Sequence, residues 1–224
     1  MSKILVTSGP TREYLDPIRY LTNASSGRMG AALAEAALEA GYDVIVVTGP
    51  VEVTYPSDAD VRKVVSTSEM HVAAMEAFAE CEGAIGAAAP CDYRSITRLT
   101  EKMSKEDFIR TPDAQGELLL RLRETPDVME ALGKMKRDAD DPLGRQWLVA
   151  FALETSDHHV RALQKLQRKH CDMIVVNDPT SINGATSNVE ILDPTGETIA
   201  KLAGAKIDVA RRLIAEIRRF AETF

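Results

Sequence analysis

Two apolar runs flank one alanine-rich helical stretch within the first fifty residues, and this constrains the fold more than any other feature. "KILVTSG" (3–9) reads as a buried strand ending in glycine, and "DVIVVTGP" (43–50) reads as a second. Between them, "SGRMGAALAEAALEAG" (26–41) reads as a helix that Ser25 or Ser26 can cap and Gly41 can end. Strand, helix and strand in so short a span are the βαβ signature of a parallel sheet.

The pattern repeats along the chain. Ser66 with Glu69 forms a capping box before the amphipathic "EMHVAAMEAFAEC", and "GAIGAAAP" (83–90) reads as a central strand of small residues. Residues 93–117 are polar without clean periodicity and predict a long loop or flap. "ELLLRLR" (117–123) reads as another strand, after which Thr125 as cap and Pro126 as first helical residue open a helix to about Met135. "WLVAFALE" (147–154) is a strand, Ser156 caps a basic helix to His170, and "DMIVVND" (172–178) is a strand again. "NVEILDPTGETIAKL" (188–202) alternates around a turn and reads as a hairpin. A final amphipathic helix presents Ile207, Ala210, Leu213, Ile214 and Ile217 on its apolar face. The expected fold is α/β: one domain over 1–224, with a doubly wound, Rossmann-like, mostly parallel sheet, helices on both faces and a late antiparallel hairpin.

Composition narrows the class. A net charge of −7 argues against nucleic-acid binding through bulk charge, while leaving room for a local basic site. Cys81, Cys91 and Cys171 are odd in number and not closely paired, so they read as reduced thiols of a cytoplasmic protein. No apolar run is long enough for a signal peptide or membrane span, which predicts a soluble chain with no membrane partner.

Ligands of such sheets sit beyond the carboxyl ends of the strands, so the residues there are the functional candidates. After the first strand come Gly9, Pro10, Thr11 and Arg12, then "TNASSGRMG" (22–30). Asp92 follows the small-residue strand, Glu154 and Thr155 follow the next, and Asn177 and Asp178 the last. Neither a P-loop nor a glycine-rich dinucleotide fingerprint follows the first strand. Ser25, Ser26 and Gly27 at a helix start make a usable anion site, and helix capping explains the serines equally well. Asn23 adds a neutral amide that can donate to an oxyanion. Lys102 and Lys105 lie in the flap, and Lys165 and Lys169 share a helix face, which by spacing alone reads as a solvated basic surface. His158 and His159 read as an exposed helix start, and His71 and His170 lack partners at metal spacing. The metal ligands, if any, are not legible, and the cysteines read as small buried residues rather than nucleophiles.

These residues together resemble the phosphopantothenoylcysteine synthetase family, the ligases of coenzyme A biosynthesis. "ILVTSGPTREYLDPIRYLTNASSGRMG" is similar to the family's opening motif, and "AAAPCDYR", "EKMSK", "TPDVMEALG", "FALET", "LQRKHCDMIVVND" and "SNVEIL" follow in family order over nearly the whole chain. The resemblance implies a ligase joining 4′-phosphopantothenate to L-cysteine. A nucleoside triphosphate, CTP in most bacterial members and ATP in human-type ones, activates the carboxylate as an acyl-nucleotide with release of pyrophosphate, and the cysteine amine then displaces the nucleoside monophosphate. It also implies Mg²⁺, no flavin, a stand-alone form without the decarboxylase half, and a homodimer, for which the hairpin near 188–202 is a candidate interface.

By matching position, Asn23 resembles the asparagine that holds the acyl-nucleotide. Gly9, Thr11, Ser25, Ser26, Gly27, Met29 and Gly30 would belong to the substrate pocket. Asp92 would read the nucleotide; Gly86, Ala87, Ala88, the Arg123, Glu124, Thr125 and Pro126 turn, and Phe151 would line base and ribose; Lys102, Lys165 and Lys169 would meet the phosphates. Departures cluster around this pocket: Pro90-Cys91 stands for Val-Ala, Ser104 for a flap lysine, Thr125 for asparagine, "FALET" for "FAAET", and the "GATSN" region is shorter than in the family. The rival readings are a non-catalytic nucleotide-binding regulator, an NAD(P)-dependent oxidoreductase of the same fold, and a flavoprotein of the decarboxylase kind.

Overall fold

The computed structural model describes residues 2–104, 109–110, 118–153, 158–177 and 184–223. Lys3–Ser8 forms β1, buried over five of its six residues, as an apolar run between two covered faces requires. Arg12–Tyr14 (β2) and Tyr20–Thr22 (β3) pair as a short antiparallel ribbon that no apolar pattern announced. Helix α1 spans Arg28–Glu39 and returns the chain to β4 at Asp43–Thr48, completing the expected βαβ unit. Asp60–Lys63 (β5) then adds an edge strand, followed by α2 at Thr67–Phe78 and β6 at Gly83–Gly86. The capping box holds: Ser66 Oγ accepts from the Glu69 N–H at 3.2 Å and Glu69 turns back to the Ser66 N–H.

The middle of the chain departs from expectation. Of the expected strand 117–123, the described residues 118–123 do not enter the main sheet. Tyr93–Ser95 (β7), Ile109–Arg110 (β8), Leu118–Leu119 (β9) and Leu122–Glu124 (β10) form two small ribbons, β10 with β7 and β9 with β8. Helix α3 spans Val128–Met135, and its cap is Asp127, whose carboxylate accepts from the Glu130 N–H at 3.1 Å. Thr125 therefore does not cap it and Pro126 is not its first residue; the Thr125 hydroxyl turns to the Cys91 carbonyl instead. Strand β11 (Trp147–Leu153), helix α4 (His158–Arg168) and strand β12 (Met173–Asn177) follow as read, although the Ser156 cap lies outside the described residues. The late hairpin is β13 (Thr186–Leu192) with β14 (Thr198–Ala205), and α5 runs over Lys206–Ala221. Its buried face includes Lys206 and Val209, while Ile207 is only half-buried.

The main sheet orders its strands β14-β13-β12-β11-β6-β1-β4-β5, parallel from β12 to β5 and antiparallel beyond β12. The six parallel strands taken in chain order thus lie 3-2-1-4-5-6, the doubly wound arrangement. Helices α1 and α5 close one apolar core, and α2, α3 and α4 close the other. Glycine brings α1 onto β1: a Cβ on Gly30 would stand 2.0 Å from Ser8 Oγ. The winding direction reverses between β1 and β6, whose carboxyl ends meet through a bridge of Pro10 with Ala89. Among the described residues no helix is long and apolar enough to cross a membrane.

Candidate functional site

Two cavities flank this switch point. One, of about 400 Å³, is lined by Pro10, Arg12, Tyr20, Asn23, Ser25, Ser26, Arg28 and the 50–53 turn. The other, of about 410 Å³, is lined by Gly86, Ala88, Pro90–Tyr93, Glu124–Glu130, Phe151, Arg168 and Lys169. The Asn23 side chain spans the gap: its Nδ2 donates to the Pro90 carbonyl at 2.8 Å.

At the first cavity the serines do not cap α1. The cap residue is Gly27, at φ 74°, which has no side chain of its own to bond the first turn, and Ser8 Oγ donates to its carbonyl at 3.3 Å. Glycine takes this left-handed backbone without the steric cost that a Cβ imposes. Ser25 and Ser26 instead line the cavity beside this helix start. First-turn N–H groups with no intrahelical acceptor suit a phosphate or carboxylate. Thr11, Gly9, Gly27, Met29 and Gly30 are not among the cavity-lining residues: Thr11 is fully buried, Gly30 packs on Ser8, and Met29 rests against the core.

At the second cavity the polypeptide before Asp92 is held from several sides. The Cys91 N–H donates to Thr11 Oγ1 at 2.8 Å, the Cys91 carbonyl accepts from Thr67 Oγ1 at 3.1 Å and Thr125 Oγ1 at 2.6 Å, and the Asp92 carbonyl accepts from the Thr125 N–H at 2.9 Å. Asp92 itself is exposed at the rim. At the Pro90-Cys91 departure the proline carbonyl serves Asn23. Phe151, half-buried at the end of β11, gives the cavity an aromatic wall.

Of the expected phosphate lysines, Lys169 reaches this cavity and Lys165, half-buried on α4, does not line it. Lys169 pairs with Asp127 at 3.0 Å, and Arg168 approaches the same carboxylate at 3.6 Å. Burial pushes the Asp127 carboxyl up, but Lys169, the Glu130 N–H and Arg168 hold it below the usual carboxylate range. Ala87 rests against the core and Arg123 is exposed on β10, opposite Arg94. Lys102 is exposed outside both cavities, but its neighbour is anchored. Met103 donates its N–H to Asp16 Oδ2 at 3.0 Å and its carbonyl accepts from Arg19 at 3.2 Å. Lys105, Glu154, Thr155 and Asp178 lie outside the described residues.

Three groups missed by sequence reasoning matter here: Asp16, Thr67 and Asp127. Asp16 is fully buried and also accepts from the Ile18 and Arg19 N–H groups at 2.8 and 2.7 Å, so it ties the flap root to the loop before β3. The three cysteines are buried and free, and burial pushes Cys81 and Cys171 up to about 12 and Cys91 above its ordinary value, so none is a thiolate nucleophile. No group of three or more His, Cys, Asp or Glu side chains among the described residues could hold a metal alone. Asp92 and Glu124 could each contribute an oxygen to an ion carried by a triphosphate, which is how Mg²⁺ is commonly bound.

Residues 1–220 match the family described as the DNA/pantothenate metabolism flavoprotein C-terminal domain. The chain is 40% identical over 220 residues to a cysteine/cysteine sulfinic acid decarboxylase of an unknown prokaryotic organism, covering 96% of this chain and 57% of that protein. It is 36% identical over 220 residues to the coenzyme A biosynthesis bifunctional protein CoaBC of Bacillus subtilis (strain 168), covering 96% of this chain and 50% of that one. The chain thus spans about half the length of these curated relatives. Among solved structures, the C-terminal domain of a CoaBC protein superposes with a TM-score of 0.79 at 32% identity, covering 100% of this chain and 97% of that one. A Cab2 mutant in complex with phosphopantothenate-cysteine shares the fold, with a TM-score of 0.73 at 17% identity over 99% of this chain and 87% of that one.

Proposed function

Because the chain belongs to the DNA/pantothenate metabolism flavoprotein C-terminal domain family, we propose that it is a phosphopantothenate–cysteine ligase working through an acyl-nucleotide. The observation that carries this reading is the pair of cavities joined at the Asn23–Pro90 hydrogen bond. An acid bound at the serine side and a nucleotide bound at the Asp92 side would meet at one amide.

A carboxylate resists an amine at neutral pH until one of its oxygens becomes a good leaving group. In the first half-reaction the 4′-phosphopantothenate carboxylate attacks the α-phosphorus of the nucleotide, and the bond to pyrophosphate breaks. In the second, the cysteine nitrogen attacks the acyl carbon, the nucleoside monophosphate leaves, and the amine gives up a proton. The protein's task is binding, orientation and charge stabilisation, which agrees with three cysteines held as thiols. Asn23 has two amide protons, so one can hold Pro90 while the other donates to oxygen at the reacting centre. Ser25, Ser26 and the open α1 start would hold the acid substrate, and Asp92 with Phe151 would hold the base and ribose. Lys102, swung in from a root fixed by Asp16, would meet the phosphates with Lys169. Mg²⁺ bound with the triphosphate would neutralise charge developing on the departing pyrophosphate.

CTP is the proposed nucleotide and no flavin takes part. A homodimer in the cytoplasm completes the proposal, and the exposed Tyr20, Tyr93 and Leu122 on the ribbons beside the site offer apolar surface for pairing. The test is pyrophosphate release with Mg²⁺, 4′-phosphopantothenate and L-cysteine, run in parallel with CTP, ATP, GTP and UTP. Release that requires 4′-phosphopantothenate supports the ligase, and the preferred nucleotide fixes base choice. Nucleotide binding without release from a folded sample would sink the ligase in favour of the regulator.

A further inference from the structure

Thr67 lies outside both cavities, at the start of α2, fully buried. Its hydroxyl lies between a second hydroxyl and a backbone carbonyl. The Cys91 N–H can only donate, and it reaches Thr11 Oγ1 at 2.8 Å. The Cys91 carbonyl can only accept, so the 3.1 Å contact from Thr67 Oγ1 uses that hydroxyl's single proton. The 2.7 Å contact between the two hydroxyls then runs from Thr11 to Thr67, the direction in which both hydroxyls donate and accept. The chain of donors therefore leaves the backbone at the Cys91 N–H, passes through Thr11 and Thr67, and returns at the Cys91 carbonyl. Each hydroxyl accepts once and donates once, in the arrangement in which neighbouring bonds polarise and strengthen one another.

The ring is held at its far side. The Thr67 N–H donates to Glu13 Oε1 at 2.7 Å, and Glu13 is itself buried in β2. Thr125 fills the second acceptor position of the Cys91 carbonyl at 2.6 Å and clamps the Asp92 carbonyl through its own N–H. The peptide groups on both sides of Cys91 thus have one orientation compatible with all these bonds, and the Cα of Asp92 follows from it.

We propose that Thr67 is a positioning residue for nucleotide recognition: through the ring it fixes the direction in which Asp92 leaves the 90–92 loop. This rests on the reading of the Asp92 cavity as the nucleotide site. It also gives the Thr125 departure a role, since its hydroxyl bonds the same Cys91 carbonyl.

The test is Thr67→Val, nearly isosteric and lacking the hydroxyl, with Thr67→Ser as the conservative rescue. Calorimetric titration with CTP–Mg²⁺, with ATP–Mg²⁺ and separately with 4′-phosphopantothenate supplies the split. T67V should weaken nucleotide binding by about tenfold, the size of one lost buried hydrogen bond. It should leave 4′-phosphopantothenate within about twofold, and T67S should restore the nucleotide. If T67V does not fold, T67A removes the same hydroxyl without placing a second methyl in the buried site. Nucleotide affinity unchanged in a folded hydroxyl-less variant would overturn the inference alone, as would equal weakening of both ligands. Failure of the unmodified protein to bind either nucleotide would overturn the nucleotide reading and the inference with it.

Discussion

The two loops that meet at the switch point are built in opposite ways. At residues 90–92 the three carbonyls and the Cys91 N–H are all engaged: Pro90 by Asn23, Cys91 by three threonines, Asp92 by the Thr125 N–H. At residues 24–28 the helix start carries no side-chain cap, and two serines line a cavity. One loop is bonded internally, and the other leaves its cavity-lining serines beside an uncapped helix start. A preassembled loop suits recognition of a rigid base, whereas an open helix start suits an anion that brings its own acceptors.

Predictions that break this contrast can be ordered by size. Asn23 belongs to both loops, and Asn23→Asp exchanges its donor for a carboxylate facing the Pro90 carbonyl. Pyrophosphate release should fall by at least about 10²-fold, the scale of one lost oxyanion donor, in a stopped assay that also detects any acyl-nucleotide. Lys102→Gln should abolish acyl-nucleotide formation with Tm unchanged, because Lys102 is exposed while its neighbour Met103 is held by Asp16. Full turnover in that variant would remove Lys102 from the mechanism.

Asp127→Ala removes both the α3 cap and the partner of Lys169, and should cost about 1–2 kcal/mol in chemical denaturation. The sign with pH follows from its depressed carboxyl. The Lys169 pairing stabilises the fold above the ordinary carboxylate range and is lost as pH falls through the lower folded value. The wild-type advantage over D127A should therefore shrink on acidification, and an advantage that grew would contradict the pairing. Smallest and sharpest is a serine comparison. Ser66→Ala should cost about 1 kcal/mol because Ser66 caps α2. Ser26→Ala should cost under about 0.5 kcal/mol while raising KM for 4′-phosphopantothenate, because α1 takes no side-chain cap. Equal stability losses would show that Ser26 is a cap after all.

The layout of the sheet was legible because its central strands are apolar runs and its crossovers are amphipathic, features that tertiary packing reinforces. What escaped notice had no such signal. Strand β5 reads "DVRK", and an edge strand needs no apolar run. The three-residue strands β2 and β3 are too short for any period to register. "ELLLRLR" carried an apolar signal that was real, but its residues are spent on ribbons outside the sheet. Thr125 and Asp127 both suit a helix cap, and the competing Cys91 carbonyl, far away in sequence, decides between them. Among the site candidates, Asn23, Ser25, Ser26 and Asp92 stand out by type and position, whereas Lys169 reads by spacing as a solvated face and becomes a candidate only through the family resemblance. The ring of Thr11, Thr67 and Cys91 does not stand out, since nothing local links residues 11, 67 and 91.

The composition of the outer strands has one more consequence. An unpaired strand at the rim of a sheet is a template for another chain, and proteins blunt such rims with short length, charge and irregularity. Here one rim is the four-residue β5, with Asp60 and Lys63 exposed and Arg62 tied to Asp60 and Glu80. The other is β14, which carries an exposed Lys201, and its pairing with β13 is broken by a register shift at Ile191/Leu192. Fibril-like stacking through either rim is thereby discouraged, and the sheet ends where its eight strands end.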